Sequence, residues 1–148
     1  MKKFVFTNEK YQAIKEKEYD RLKLDMKNID KEIDKALGEQ EALSEQFTAE
    51  RARFDAACKK GVRPVELLRF QGFFELIREQ REIVRQRLVK LTAEKQKLTE
   101  QLKRIHNELR VLEEMRAEQY QAYLKEVAAE EAKEMDEHIS FTIFEKAV

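Results

Sequence analysis

Apolar side chains recur along this chain at alternating steps of three and four residues. Seven successive d positions of one heptad frame are Phe70, Ile77, Val84, Leu91, Leu98, Ile105 and Leu112. A strict seven-residue repeat keeps one apolar seam on a slightly underwound helix, which must then lie along another helix. The matching seam runs earlier, through Tyr19, Leu22, Met26, Ile29, Ile33, Ala36, Leu43, Phe47, Phe54 and Ala57. Upstream of Tyr19, Tyr11, Ile14 and Glu18 do not join that frame cleanly, which predicts a stutter and differently packed first turns.

One strong turn signal interrupts the two patterns, Lys59-Lys60-Gly61-Val62-Arg63-Pro64. Gly61 suits a left-handed helix cap and Pro64 the first turn of a new helix. The spacing therefore predicts an all-α chain: helix one over about 8–60, a hinge at about 61–64, and helix two over about 65–138. A loop this short makes the helices antiparallel neighbours, so residues 1–148 read as a single coiled-coil hairpin. In that register Phe54 opposes Phe70, Leu22 opposes Leu102, and Phe4 lies near Gln119. Helix one, at roughly 80 Å, is shorter than helix two, at roughly 110 Å, so everything past about Tyr120 overhangs. At the far end, His138-Ile139-Ser140-Phe141-Thr142-Ile143-Phe144 alternates like a strand without a neighbour. Residues 139–148 are expected to be a flexible tail, or else a segment that orders on a partner.

Polar residues qualify the seam. Gln40 at an a position lowers stability and fixes register, while Gly38 lies off the seam. Arg81, Lys95 and Arg116 also fall at a, where their stems can cover the seam and their charged ends reach water.

Composition narrows the function classes. Charged residues make up 41% of the 148, with three glycines, one proline and no tryptophan, the profile of long solvated helices and not of an α/β enzyme. Thirty basic residues balance thirty acidic ones, which argues against a nucleic-acid binder. No apolar run approaches the ~20 residues of a membrane span, and no signal-peptide stretch opens the chain. The single cysteine excludes an intrachain disulfide and suits a reducing compartment, so a soluble cytoplasmic protein is expected.

No catalytic constellation stands out. Glycines are too few for a phosphate loop, and His106 and His138, 32 residues apart, are too distant to share a metal. His106 reads as a solvated residue beside the seam, and Cys58 as a small half-buried packing residue. No catalytic residue, metal, cofactor or small-molecule ligand is expected. The chemistry on offer is apolar surface outside the seam. Phe73, Leu76, Gln80 and Ile83 share one helical face just past the hinge, where they form either a protein-binding site or thicker local packing. Lys59, Lys60, Arg63 and Arg69 gather at the hinge, suited to an acidic protein, a phosphate, or mere solubility. The overhanging end offers a second apolar surface.

Three elements in order carry a resemblance: Phe4-Val5-Phe6 leading into Ile14-Lys15-Glu16-Lys17-Glu18, Phe70-Gln71-Gly72-Phe73 opening helix two, and Lys133-Glu134-Met135-Asp136-Glu137. Together, over nearly the whole length, the chain resembles the flagellar FliJ family of bacterial type III export proteins, similar in shape to the YscO-type proteins of injectisomes. The resemblance implies a non-enzymatic stalk like the γ subunit of rotary ATPases, cytoplasmic and peripherally associated with the inner membrane at the flagellar base. Implied partners are the export ATPase ring, the membrane export gate and substrate chaperones. Gate and chaperone binding maps onto Phe73, Ile77, Gln80 and Val84, overlapping the face of Leu76 and Ile83. The ring-facing end would carry Phe4, Phe6, Tyr11, Tyr120, Tyr123 and Val127. Gly72 and the strand-like tail depart from the family pattern. The alternative is a structural coiled coil or spacer that self-associates.

Overall fold

A computed structural model describes residues 2–147, which form two long helices, α1 (Glu9–Lys60) and α2 (Pro64–Ala147), packed against each other as a helical hairpin. Each helix starts and stops where its charges and caps dictate. α1 opens behind Asn8, whose carbonyl accepts the Gln12 amide at 2.9 Å, and it carries Glu9 in its first turn and Lys59 and Lys60 in its last. Those signs suit the helix dipole at each end. Gly61, at φ 93°, is the one positive-φ residue among those described, and it ends α1 in the left-handed conformation that a side chain resists. Pro64 then opens α2, with the Leu67 amide donating to the Arg63 carbonyl at 3.1 Å.

The chain divides into two units, one of Arg21–Leu102 and one joining the residues up to Asp20 with those from Lys103 on. Within Arg21–Leu102, partner numbers fall along α2 as they rise along α1, the mark of antiparallel register. Asp30 pairs with Lys95 at 2.7 Å, Glu39 with Arg87 at 2.8 Å, and Phe47 with Phe74 at 5.4 Å between rings. Leu22, Ala36, Ile77 and Val84 are buried, and every other predicted seam position in this unit is at least half-buried. The cations at a behave as their chemistry requires. Arg81 lays its guanidinium 4.8 Å from the Phe47 ring centroid and donates to Ser44 Oγ, while Lys95 reaches out to Asp30.

In the other unit the heptad frame runs on to the start of α1, and the expected stutter is absent. Gln12 and Lys15 occupy the a and d positions, so the seam is continuous but polar, and Tyr11 and Ile14 point to solvent. Gln12, only 5% exposed, donates to Glu113 Oε2 at 3.0 Å, and Lys15 meets Glu108 at 3.0 Å. Residues 2–8 then extend past α1 and cover part of α2 themselves. Phe4 packs on Tyr120 and Tyr123, Phe6 is buried, and both the Thr7 amide and hydroxyl donate to Gln119.

The expected tail is also corrected. α2 continues through the alternating segment to Ala147, because a helix satisfies its backbone internally where a strand would need a neighbour. Val148, the last residue of that expected tail, lies outside the described residues. From Ala128 to Ala147 the side chains are exposed, except half-buried Thr142, whose hydroxyl donates to the His138 carbonyl at 2.9 Å.

Candidate functional site

The structure divides the hinge-proximal set. Ile77 and Val84, each 3% exposed, are d residues facing α1, so burial removes them from any surface a partner could touch in this conformation. Leu76 and Ile83, at 52% and 51%, lie on the outside of α2 with Gln80 exposed between them. Phe73 takes the middle course. It is half-buried, its ring 6.4 Å from that of Phe74, and it lines a groove of about 390 Å³ with Glu50, Ala57, Arg69 and Phe70. Thicker local packing thus describes Phe73, and an open face describes Leu76, Gln80 and Ile83.

That face is longer than the heptad reading found. Val65 and Leu68 continue it toward the turn, and Gly72 sits between Leu68 and Leu76 with nothing within 4 Å of where a Cβ would stand. Steps of three, four, four and seven residues keep Val65, Leu68, Gly72, Leu76 and Ile83 on the side of α2 away from its d residues. The signal was available: two apolar residues at outward positions immediately after Pro64. Charge borders the face at Arg85 and Glu82, where Arg85 Nε donates to Glu82 Oε2 at 2.9 Å. That hydrogen bond, with the charge attraction behind it, holds the Glu82 carboxyl below its ordinary range and the Arg85 guanidinium above its own.

A second surface belongs to the unit holding both chain ends. Phe4, Tyr120 and Tyr123 form a ring cluster with centroids 5.2 to 6.3 Å apart, tied down by the Tyr123 hydroxyl donating to the Lys2 carbonyl at 2.7 Å. Tyr120 keeps an exposed edge, whereas Phe4, Tyr123 and Val127 are half-buried and Phe6 is fully buried. Phe6 is therefore part of the fold's interior and not of a free surface, a correction that follows from the extended segment lying down on α2. Tyr11 is exposed, with the Lys15 ammonium 5.5 Å from its ring. Further along α2, Met135, Ile139, Phe141, Ile143 and Phe144 are exposed as well, a helical apolar surface where a strand-like pattern hid the helix.

Two single residues complete the picture. His106 is exposed beside the seam as expected, its ring 6.3 Å from that of Tyr19. Cys58 is exposed and not the half-buried residue expected, since it lies outside the a and d positions in the last turn of α1. Among the described residues no helix is long and apolar enough to cross a membrane.

The sequence matches a family model described as Flagellar FliJ protein over residues 9–147, a span that takes in both helices and the turn. No curated protein and no solved structure matches the chain.

Proposed function

We propose, from the premise that this chain belongs to the FliJ family of flagellar proteins, that it is a stalk and escort component of the flagellar type III export apparatus. As a family member it is associated with flagellar export. The finer reading is that it works without chemistry of its own, by presenting surfaces. The face of Leu76, Gln80 and Ile83, extended by Val65 and Leu68, would meet the export gate or a substrate chaperone. The end bearing Tyr11, Tyr120 and the Phe4–Tyr123 cluster would seat against the export ATPase ring, on the cytoplasmic side of the inner membrane.

The observation that carries this reading is the exposed apolar face just past the turn. A half-exposed leucine and isoleucine on a well-formed helix, rimmed by charge, are suited to a partner's groove and contribute nothing to the seam. The double variant Leu76→Ala with Ile83→Ala tests it by capture of the gate protein's cytoplasmic domain and of purified chaperones. Affinity should fall at least about tenfold while circular dichroism remains helical, the loss expected when two anchor residues are truncated. Undiminished capture of every partner would remove the face from the mechanism.

The exposed apolar residues from Met135 to Phe144 favour a second reading, a coiled coil that self-associates. Sedimentation of the isolated chain separates the two, because a monomer whose mass is independent of concentration cannot be a filament.

A further inference from the structure

The turn between the helices carries charge left out of the ion pairs among the described residues, beside apolar side chains open to solvent, of which Leu67 also lines a groove with Phe54 and Phe74. Lys59, Lys60, Arg63 and Arg69 are exposed and take part in no ion pair among the described residues. Between Lys59 and Arg69 a single acid, Glu66, stands against these four cations. In the same stretch Val65, Leu67 and Leu68 are exposed, Leu68 most of all at 68%.

Their arrangement discriminates between partners. At about 100° per residue, Val65, Leu67 and Leu68 spread over roughly 160° of the first turns of α2. An amphipathic helix that enters a protein groove presents a stripe at steps of three and four, as Leu76 and Ile83 do further on. Exposed apolar side chains splayed around the first turns of α2, with four exposed cations in the same stretch of chain, fit a surface that yields on every side, the headgroup region of an anionic bilayer. Lys59 and Lys60 stand in the last turn of α1 and Arg69 in α2, so of the four cations only Arg63 lies in the turn and presenting the others requires no loop to be ordered.

We propose that the α1–α2 turn is a docking site for anionic phospholipid, with Lys59, Lys60, Arg63 and Arg69 on the phosphate headgroups and Val65, Leu67 and Leu68 seated among the upper acyl carbons. This is reversible adsorption and needs no membrane-crossing helix. It shares Val65 and Leu68 with the extension of the Leu76–Ile83 face, and the cations Lys59, Lys60 and Arg63, which belong to no part of that face, are where the two readings are told apart.

The chain contains no tryptophan, so Leu68→Trp places a sole fluorescent reporter in the tip, and Val89→Trp, at another exposed site on α2, serves as its control. The full chain is sedimented with vesicles of phosphatidylcholine alone or mixed with phosphatidylglycerol. The wild type should bind the mixed vesicles, bind the neutral ones far less, and be released by salt. Lys59→Gln with Lys60→Gln and Arg63→Gln should lower partitioning by about a hundredfold, near fivefold for each cation removed. Emission of the Leu68→Trp chain should shift to the blue on mixed vesicles while that of Val89→Trp stays put. All these substitutions are at exposed positions, and an unchanged helical circular dichroism spectrum keeps the comparison valid. Equal binding to both vesicle types, or undiminished binding by the triple variant, would overturn the proposal. A Leu68→Trp signal that ignores vesicles but responds to polyglutamate would also overturn it, and would assign the tip to an acidic protein.

Discussion

Phe54 and Phe70 meet edge to face across the turn, with ring centroids 5.3 Å apart and planes at 73°. Phe54 is an a residue of α1 and Phe70 the first apolar d residue of α2, so the contact sets the register from which every later pair follows. It does not act alone. Phe74 stands 5.9 Å from Phe54 and 5.4 Å from Phe47, forming a cluster of four rings. Edge-to-face geometry brings the electropositive rim of one ring to the negative face of the next, an attraction beyond the area buried. The intervening loop is short, and closing it carries little entropy to oppose the contact.

Truncating that pair should therefore be felt beyond lost area. Phe54→Ala is expected to destabilise the chain by about 2–3 kcal/mol, below the range of a fully buried phenylalanine because the ring is only half-buried. In a double-mutant cycle with Phe70→Ala, urea denaturation should give a coupling of roughly 0.5–1.5 kcal/mol. Strict additivity of the two losses would reduce the contact to apolar burial.

The heptad pattern made most of this architecture legible, because a two-helix seam is a one-dimensional core written directly in residue spacing. Arg81 and Lys95 at a positions were readable too, since a long stem and a charged head prescribe their own solution. The pattern failed where polarity replaced it. Gln12 and Lys15 hold seam positions without apolar side chains, so periodicity saw a stutter where the frame was intact. The alternation from His138 to Phe144 read as a strand because a period of two is local, whereas the helix is inherited from the turns before it. Of the hinge-proximal face, Leu76, Gln80 and Ile83 were legible from outward positions. Burial of Ile77 and Val84 already followed from their d positions, and only the family resemblance had placed them outside.

Gln12 provides the cleanest test of what polarity does in that seam. Its amide is buried with Glu113 as its one side-chain partner among the described residues, and Glu113 itself is exposed. Gln12→Leu would place an apolar side chain at the a position and return the Glu113 carboxylate to water at little loss. A gain of about 1 kcal/mol is expected, of the order of one added buried methylene. Hydrogen exchange should slow across residues 9–20, the α1 part of that unit. Faster exchange there would show that the amide stabilises the seam and is not merely tolerated by it.

Two ion pairs should leave opposite marks on stability against pH. The Lys15 ammonium is raised above its ordinary 10.5, first by its hydrogen bond to Glu108, which outweighs the next-largest effect, the opposing one of burial, with attraction to Glu108 and then Glu18 adding to the rise. A raised folded value means that its contribution is whole below the unfolded lysine value and is lost as pH climbs through the folded one, so the loss is alkaline. Glu82 is lowered, first by its hydrogen bond from Arg85, so its contribution is whole above the unfolded carboxylate value and disappears as pH falls through the folded one. Lys15→Met should flatten the alkaline fall in the urea midpoint, and Glu82→Gln should flatten the acid one. The Glu82–Arg85 pair is well exposed within one helix, so its mark should be small and fade with added salt. Lys15 differs because Glu108 Oε2 is shielded from water and has the ammonium as its one cation among the described residues. Removing Lys15 strands that oxygen, and Lys15→Met should lower the midpoint at neutral pH, with Glu108→Leu added to it restoring the loss. A midpoint unmoved by Lys15→Met at both neutral and alkaline pH would show that the pair contributes nothing to the seam.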